Sequence, residues 1–441
     1  MRLITSQPQK SSIGAPSIAL QELRESPQRW LLMLLLVAGM TVCYAHRGAL
    51  SVAAPVVMKD LRLSPSAMGV LLSAFFWTYA LMQLPAGWLV DRIGVRRAYA
   101  AGFAVWTLAF ILMAFAKTLA ALIAIRMLLG IGQAVTLPAS ARAVANWFRD
   151  RERGTVTAGY LTGARLGQAV IGFLASYFLT RYGWKWFFLI GGMISFVWIL
   201  PWLRLLGKWE RVSALEPRSD SKKTPTKSLS FLEALVLIKQ KSVLGIFLGF
   251  FAFDYAWFLY TTWLPGYLVV ERHFTVKEMG IYSSLPFIFM SGTTLLSGFA
   301  SDRLITKGFS EARVRKLFVI SGLLIACLVI PAGLTKSRMA AVYLITISLG
   351  GLGIASPNTW TLTQCLCSKR IVGTVSAIQN LGGNVGGIIA PMLTGYVAIR
   401  TGSFALALSI AGSILGAGVL AYGFLISKRV ETLQPIRGDI S

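Results

Sequence analysis

Gly87-Trp88-Leu89-Val90-Asp91-Arg92-Ile93-Gly94-Val95-Arg96-Arg97 is a short polar passage between two long apolar runs. It returns in weaker form at Gly298-Phe299-Ala300-Ser301-Asp302-Arg303, with Gly, Asp and Arg each 211 residues on. A second alignment, at an offset of 219, sets Gly154-Thr155-Val156 against Gly373-Thr374-Val375. It also sets Gly163, Gly167 and Gly183 against Gly382, Gly386 and Gly402. Two independent matches at nearly one offset mean that the chain is built from two similar halves. Repeats of apolar segments are a signature of transporters, whose substrate site lies between the repeats near mid-membrane.

The apolar runs recur along the chain on both sides of this passage. Of 441 residues 55% are hydrophobic and 14% charged, against about a quarter charged in an ordinary soluble domain. Twelve spans are predicted, roughly at 30–57, 66–90, 98–116, 119–146, 154–179, 186–206, 241–268, 279–301, 317–334, 339–366, 373–399 and 403–427. Most are long enough to cross a hydrocarbon core of about 30 Å at about 1.5 Å per residue. The fold class expected is therefore an all-α membrane protein of twelve transmembrane helices in two pseudo-symmetric six-helix bundles. The expected division is an N-tail (1–29), a first bundle (30–206), a linker (207–240), a second bundle (241–427) and a C-tail (428–441). The linker contains Glu216-Pro217-Arg218-Ser219-Asp220-Ser221-Lys222-Lys223-Thr224-Pro225, dominated by Pro, Ser and charge. Apolar residues at helical spacing from Leu229 to Lys239 predict a segment lying along the membrane face. The first apolar run is too long for a signal peptide and is expected to remain as helix 1.

The formal net charge of +26 would suit a nucleic-acid partner if it were gathered on one surface. It is instead distributed by side: most of the 43 Lys and Arg fall in the tails and in the alternate loops that share their side. The positive-inside rule then puts both termini in the cytoplasm and the bilayer, not nucleic acid, against the protein. An inner (plasma) membrane and a monomer are expected. Cys365 and Cys367 lack zinc spacing and nearby histidines, so neither metal nor cofactor is expected. No Ser/His/Asp set or phosphate loop suggests an enzyme.

Charges inside the spans carry the functional reading. An arginine at a helix centre costs about 2.5–3.5 kcal/mol on insertion scales. Arg47 lies near the middle of its span (30–57) and Arg126 about two turns inside its span (119–146), so they should face the bundle interior. A guanidinium matches a carboxylate in a two-pronged fork, which makes Arg47 the first candidate for an anionic substrate. Arg126 is a second candidate, or else it holds a neighbouring helix. Tyr44 shares the helix face of Arg47, and Tyr79 pairs with Gln83 at i,i+4 in helix 2. Arg165 aligns with Asn384 in the repeat, so both should point to the centre, with Arg165 a third cationic candidate. Arg142, near the end of helix 4, reads as structural. Asp254, midway along helix 7, is the acidic residue placed well inside a span.

The loop Gly87-x-Leu89-x-Asp91-Arg92-x-Gly94-x-Arg96-Arg97, with Asp302-Arg303 as its second copy, resembles the cytoplasmic-loop motif of the major facilitator superfamily. The resemblance implies that these residues latch helix ends and gate alternating access. Tyr44-Ala45-His46-Arg47-Gly48-Ala49-Leu50-Ser51-Val52-Ala53-Ala54-Pro55, Arg126-x-x-x-Gly130-x-x-Gln133-Ala134-x-x-x-Pro138 and Trp263-Leu264-Pro265-x-Tyr267 resemble the anion:cation symporter branch. That branch includes sugar-acid, glutamate and sialic-acid carriers. It implies that a tyrosine near Tyr79 and an asparagine near Asn384 contact polar substrate groups, and Gln133 joins Arg47 and Arg126 as a substrate-site candidate.

One departure is informative. Proton-coupled members of that branch carry Asp before the helix 1 arginine and Glu seven residues after the helix 4 arginine. Here those positions are His46 and Gln133, and glutamine does not titrate. Asp254 and His46 are the substitute coupling groups; a permanently paired Asp254 is the alternative. The function expected is secondary transport of a small organic anion (a sugar acid or related carboxylate), coupled to a proton or other cation. The alternatives are a uniporter, an anion or organophosphate exchanger, and a transporter-like sensor. Organophosphate exchange is disfavoured because helix 7 carries Asp254 and no Lys or Arg between Lys241 and Glu271.

Overall fold

The computed structural model describes residues 26–148, 150–214, 237–368, 371–426 and 430. These residues form twelve helical passes. The first half comprises α1 (Gln28–Leu61), α2 (Pro65–Ile93), α3 (Val95–Leu112 and a 3-10 turn Met113–Phe115), α4 (Leu119–Gln133 and Thr136–Trp147), α5 (Asp150–Arg181) and α6 (Gly183–Ser195, Phe196–Trp198 and Ile199–Ala214). The second comprises α7 (Lys241–Val270), α8 (Val276–Thr306), α9 (Glu311–Ala326 and Val329–Leu334), α10 (Arg338–Leu366), α11 (Val372–Thr401) and α12 (Ala405–Leu420, ending in the π turn Ala421–Leu425).

Eleven passes are long and apolar enough to cross a membrane by length and composition. The one outside that set is α5, whose Thr157, Thr162, Arg165 and Gln168 lower its hydropathy. It is nonetheless packed along α1 and α8, so its polar residues face helices rather than lipid. The pass α6 continues to Ala214, beyond position 206 where the apolar pattern ends. Most of the run from Leu229 to Lys239, most of the linker and nearly all of both tails lie outside the described residues.

Proline explains the interruptions. The breaks at Ala134–Val135, at Phe196–Trp198 and at Cys327–Leu328 each lie a few residues before a proline: Pro138, Pro201 and Pro331. Proline has no N–H for the carbonyl four residues back, and its ring crowds that carbonyl. Within α4 the break falls directly after Gln133, a site candidate.

The passes α2, α4, α8 and α10 all begin on the face opposite the start of α1, here the far face. Each begins with a side-chain cap: Ser64 accepts from Ala67 N, Thr118 from Ala121 N, Thr275 from Glu278 N and Ser337 from Ala340 N. These caps satisfy amide groups that a helix start leaves open. Arg272 does the converse for α9. Its guanidinium, braced by the Tyr267 hydroxyl at 2.6 Å, donates to the carbonyls of Ala332 (3.1 Å), Gly333 (3.2 Å) and Thr335 (2.6 Å).

The two halves meet toward the far face. There Gly69 of α2 lies against Pro391 and Gly395 of α11, and Gly172 of α5 lies against the Gly280 carbonyl of α8. Ser284 donates to the Ala169 carbonyl at 2.8 Å, Ser51 to the Thr262 carbonyl, and Phe76 packs edge-on against Phe258 at 4.4 Å. Lipid gives no hydrophobic drive to helix association, so small residues that let backbones touch carry this joint.

Candidate arginine site between the halves

Arg47 lies in the middle third of α1, buried, with its guanidinium over three aromatic rings. The centroid distances are 4.4 Å to Tyr44, 4.5 Å to Phe75 and 4.8 Å to Tyr79. Tyr44 precedes it by one helical turn, as the spacing requires. Phe75 and Tyr79 are one turn apart on α2 and stack at 5.1 Å. Each ring face offers about 0.5–2 kcal/mol to a guanidinium, and more where water is excluded. The cation is thus held, among the described residues, without an ion-paired carboxylate.

Gln133 fixes one edge. Arg47 Nε donates to Gln133 Oε1 at 3.2 Å, and Gln133 Nε2 donates to the Cys43 carbonyl at 2.8 Å. An ionised glutamate there would neutralise Arg47; the neutral amide orients it and leaves its charge available. Arg126 is buried behind this pair and donates to the Arg47 carbonyl at 3.3 Å. Its position supports the backbone of α1 and adds a second positive charge to the same region.

Arg165 reaches across the halves, donating to Ser356 Oγ of α10 at 2.7 Å. Its charge also acts on Tyr44, the residue whose ring carries Arg47. Around it, Gly163 and Gly167 bring α5 directly onto α1 at Thr41 and Tyr44.

The second half supplies Asp254. This carboxylate is half-buried and interacts electrostatically with Arg47. Among the described residues it makes no hydrogen bond or ion pair. It rests where α11 has no side chain: a Cβ at Gly383 would overlap Asp254 Oδ2. Asn384, the next residue, is buried and donates to the Asn380 carbonyl at 3.1 Å. Asn384 and Arg165, equivalent in the repeat, therefore have different partners: one keeps within its own helix and the other crosses to the opposite half.

His46 is set apart from this group. Neighbouring residues of a helix project about 100° apart, and His46 turns toward α3 and α6. Its ring stacks on Phe110 at 3.7 Å, and Nε2 is 2.9 Å from Ser195 Oγ. Gln83, on α2, is half-buried.

The loop motif lies at the near face, where α1 begins. Gly94 has φ 83°, the left-handed region that glycine enters without a steric penalty, and it turns the chain from α2 into α3. Asp91 pairs loosely with Arg142 at 3.7 Å, both well exposed; Arg92 lies over Trp88 at 4.9 Å. The Arg96 carbonyl accepts from Trp202 at 3.1 Å, and its guanidinium lies against Gly207 of α6. Among the described residues nothing lies within 4 Å of where a Cβ would stand on Gly87, and Arg303 is exposed.

The second copy is tighter. Asp302 pairs at 2.6 Å with Arg315, which also donates to Ser301 Oγ (2.7 Å) and Asn358 Oδ1 (3.2 Å). Arg315 is buried and reads in the sequence as one more basic residue of its loop. The repeat does not single it out: at the 211-residue offset that aligns the two loop copies, Arg96 matches Lys307. Phe75 and Ser356 carry no signal either, because one reads as core and the other as a helix-packing serine.

A family model described as the Major Facilitator Superfamily matches residues 36–391. The chain is 31% identical over 420 residues to the D-galactonate transporter of Escherichia coli O6:H1, with 91% of this chain and 97% of that protein covered. It is 32% identical over 428 residues to the probable galactarate/D-glucarate transporter of Escherichia coli strain K12, with 91% and 96% covered. It is 30% identical over 407 residues to the probable L-galactonate transporter of that strain, with 90% and 89% covered. A solved structure of a bacterial homologue of the human lysosomal transporter Spinster, inward-facing and unoccupied, matches with TM-score 0.71. That match covers 91% of this chain and 93% of that one at 20% identity, a likeness of fold.

Proposed function

Because this chain belongs to the Major Facilitator Superfamily, we propose that it carries a sugar acid across a membrane by alternating access, with a cation taken up alongside. The observation that carries this reading is Arg47: a buried guanidinium held by aromatic faces and a neutral amide, with its charge not cancelled by a bonded acid. A substrate carboxylate supplies the missing anion. The relatives of similar length, named for galactonate, galactarate and glucarate, point to the same substrate class.

Tyr44, Tyr79, Gln133 and Asn384 line or support this site, with Arg126 holding Arg47 from behind. Asp254 is the coupling group we favour over His46. It faces Arg47 from the opposite half without bonding to it, whereas His46 is engaged with Phe110 and Ser195. A proton on Asp254 removes a negative charge that competes with the substrate, so proton and substrate binding favour one another. The Lys and Arg bias supports placing the near face, both tails and the 207–240 linker in the cytoplasm of a plasma membrane, with a monomer as the working unit. The near-face motif residues Asp91, Arg92, Arg96, Asp302 and Arg303 then act as the cytoplasmic gate.

The test is uptake of a radiolabelled sugar acid into proteoliposomes, with and without an inward proton gradient. Wild type should accumulate substrate above the external concentration when the gradient is imposed. Asp254→Asn should equilibrate substrate but not accumulate it. Equilibration alone by wild type, indifferent to the gradient, would mean a uniporter or exchanger and would remove Asp254 and His46 as proton carriers.

A further inference from the structure

The charges gathered at the site are unbalanced. Arg47, Arg126 and Arg165 bring three guanidiniums. Asp254 brings one carboxylate, and among the described residues no ion pair joins it to any of them. The site therefore carries a cationic excess of two with Asp254 ionised, and of three with it protonated. A monocarboxylate leaves one or two of these charges uncompensated when the halves close around it. Uncompensated charge away from water is costly.

The geometry separates the charges into two groups. Arg47, with Arg126 behind it, is fixed by α1, α2 and α4. Arg165 stands on α5 and, among the described residues, is tied only to the Ser356 hydroxyl of the other half. Its Nε is buried without an acceptor. A serine hydroxyl is a weak partner for a guanidinium that a carboxylate would take with two parallel hydrogen bonds. The Arg47 guanidinium lies over the Tyr44 ring, and α5, which carries Arg165, packs on α1 at Tyr44 through Gly167, so the two arginines stand on adjoining helices at the same residue.

We propose that the substrate is a dianion, a sugar acid with a carboxylate at each end, whose first carboxylate binds Arg47 and whose second displaces Ser356 from Arg165. This rests on the sugar-acid reading above and narrows it. A dicarboxylate lowers the cationic excess to zero or one, according to the state of Asp254. It also bridges a half-fixed arginine to one that otherwise crosses to the second half.

D-glucarate and D-gluconate test this, because they differ only in carrying a carboxylate or a hydroxymethyl group at the far end. Binding of each is measured by calorimetry on the full chain in detergent. Glucarate should bind at least about tenfold tighter, the discrimination expected when a site's charged group is left unpaired. Arg165→Gln should bring the ratio close to one by weakening glucarate far more than gluconate. Ser356→Ala, which needs no arginine removed, should tighten glucarate and not gluconate.

Equal or tighter binding of gluconate overturns the proposal while sugar-acid transport stands. A glucarate preference that survives Arg165→Gln, or a Ser356→Ala variant that treats both ligands alike, also overturns it. If neither acid binds wild type but both variants and wild type melt alike, the sugar-acid reading itself fails.

Discussion

At the level of single residues, the site works through what stands next to Arg47. Arg47→Lys keeps the charge but loses the fork, the bond to Gln133 and most of the stacking on Tyr44, Phe75 and Tyr79. It should weaken sugar-acid binding by about ten- to a hundredfold, or about 1.4–2.8 kcal/mol, as read by calorimetry. Gln133→Glu is the more diagnostic change. The Nε bond to position 133 is already made, so an ionised glutamate would pair with Arg47 and compete with the substrate carboxylate. Affinity for sugar acid should fall as pH rises and the new acid ionises, and recover as pH falls and it protonates. Wild type should show only the dependence that Asp254 gives, so a titration of affinity against pH should be steeper in Gln133→Glu than in wild type or in Asp254→Asn. The sequence announces Arg47, Arg126 and Asp254 because charge inside an apolar run is costly and needs a reason. It does not announce Phe75 or Ser356, since a phenylalanine or serine in a membrane helix has ordinary packing uses. Nor does it reveal that His46 turns away, because the facing of adjacent residues depends on which neighbours the helix meets.

At the level of helices, two joints bear predictions. Where α5 meets α8, a side chain at Gly172 would strike Ser284 Oγ and the Gly280 carbonyl. Gly172→Val should hold the far face apart. Cysteines placed at far-face positions on α1 and α7 should then react faster with a membrane-impermeant maleimide than in the parent, while transport falls. Equal labelling would mean that this contact does not set closure. Arg272→Ala leaves the Gly333 and Thr335 carbonyls without their donor at the end of α9, while the Ala332 carbonyl keeps the Tyr267 hydroxyl. A loss of about 2–4 kcal/mol is expected from unsatisfied buried acceptors, read as a lower melting temperature in detergent with substrate affinity unchanged. Helix existence follows readily from apolar length, and the twelve passes lie where the runs predict. Their breaks follow from Pro138, Pro201 and Pro331. Partnership between helices is less visible. The pairing of α5 with α8 depends on Gly172 and Gly280, and small residues occur at many positions that do not meet.

At the level of the whole molecule, alternating access requires the site to pass through a state in which neither face is open. The cost of that state depends on the net charge enclosed. The loaded carrier encloses substrate anion against Arg47, Arg126 and Arg165; the empty carrier encloses the arginines with Asp254 alone. Moving the uncompensated excess through the closed state is unfavourable, by several kcal/mol if it is fully desolvated. The empty carrier should therefore return slowly and the loaded one quickly. Proteoliposomes preloaded with unlabelled sugar acid should take up labelled substrate at least about tenfold faster initially than empty ones, a difference of about 1.4 kcal/mol in barrier. Asp254→Asn raises the excess in the empty state by one charge and leaves the arginines in place. It should slow net uptake further while sparing exchange, widening the gap between the two rates. If removing the carboxylate instead speeds net uptake, the return step is not governed by charge at this site. Asp254 would then be an obstacle to turnover, not the group that makes the empty return possible.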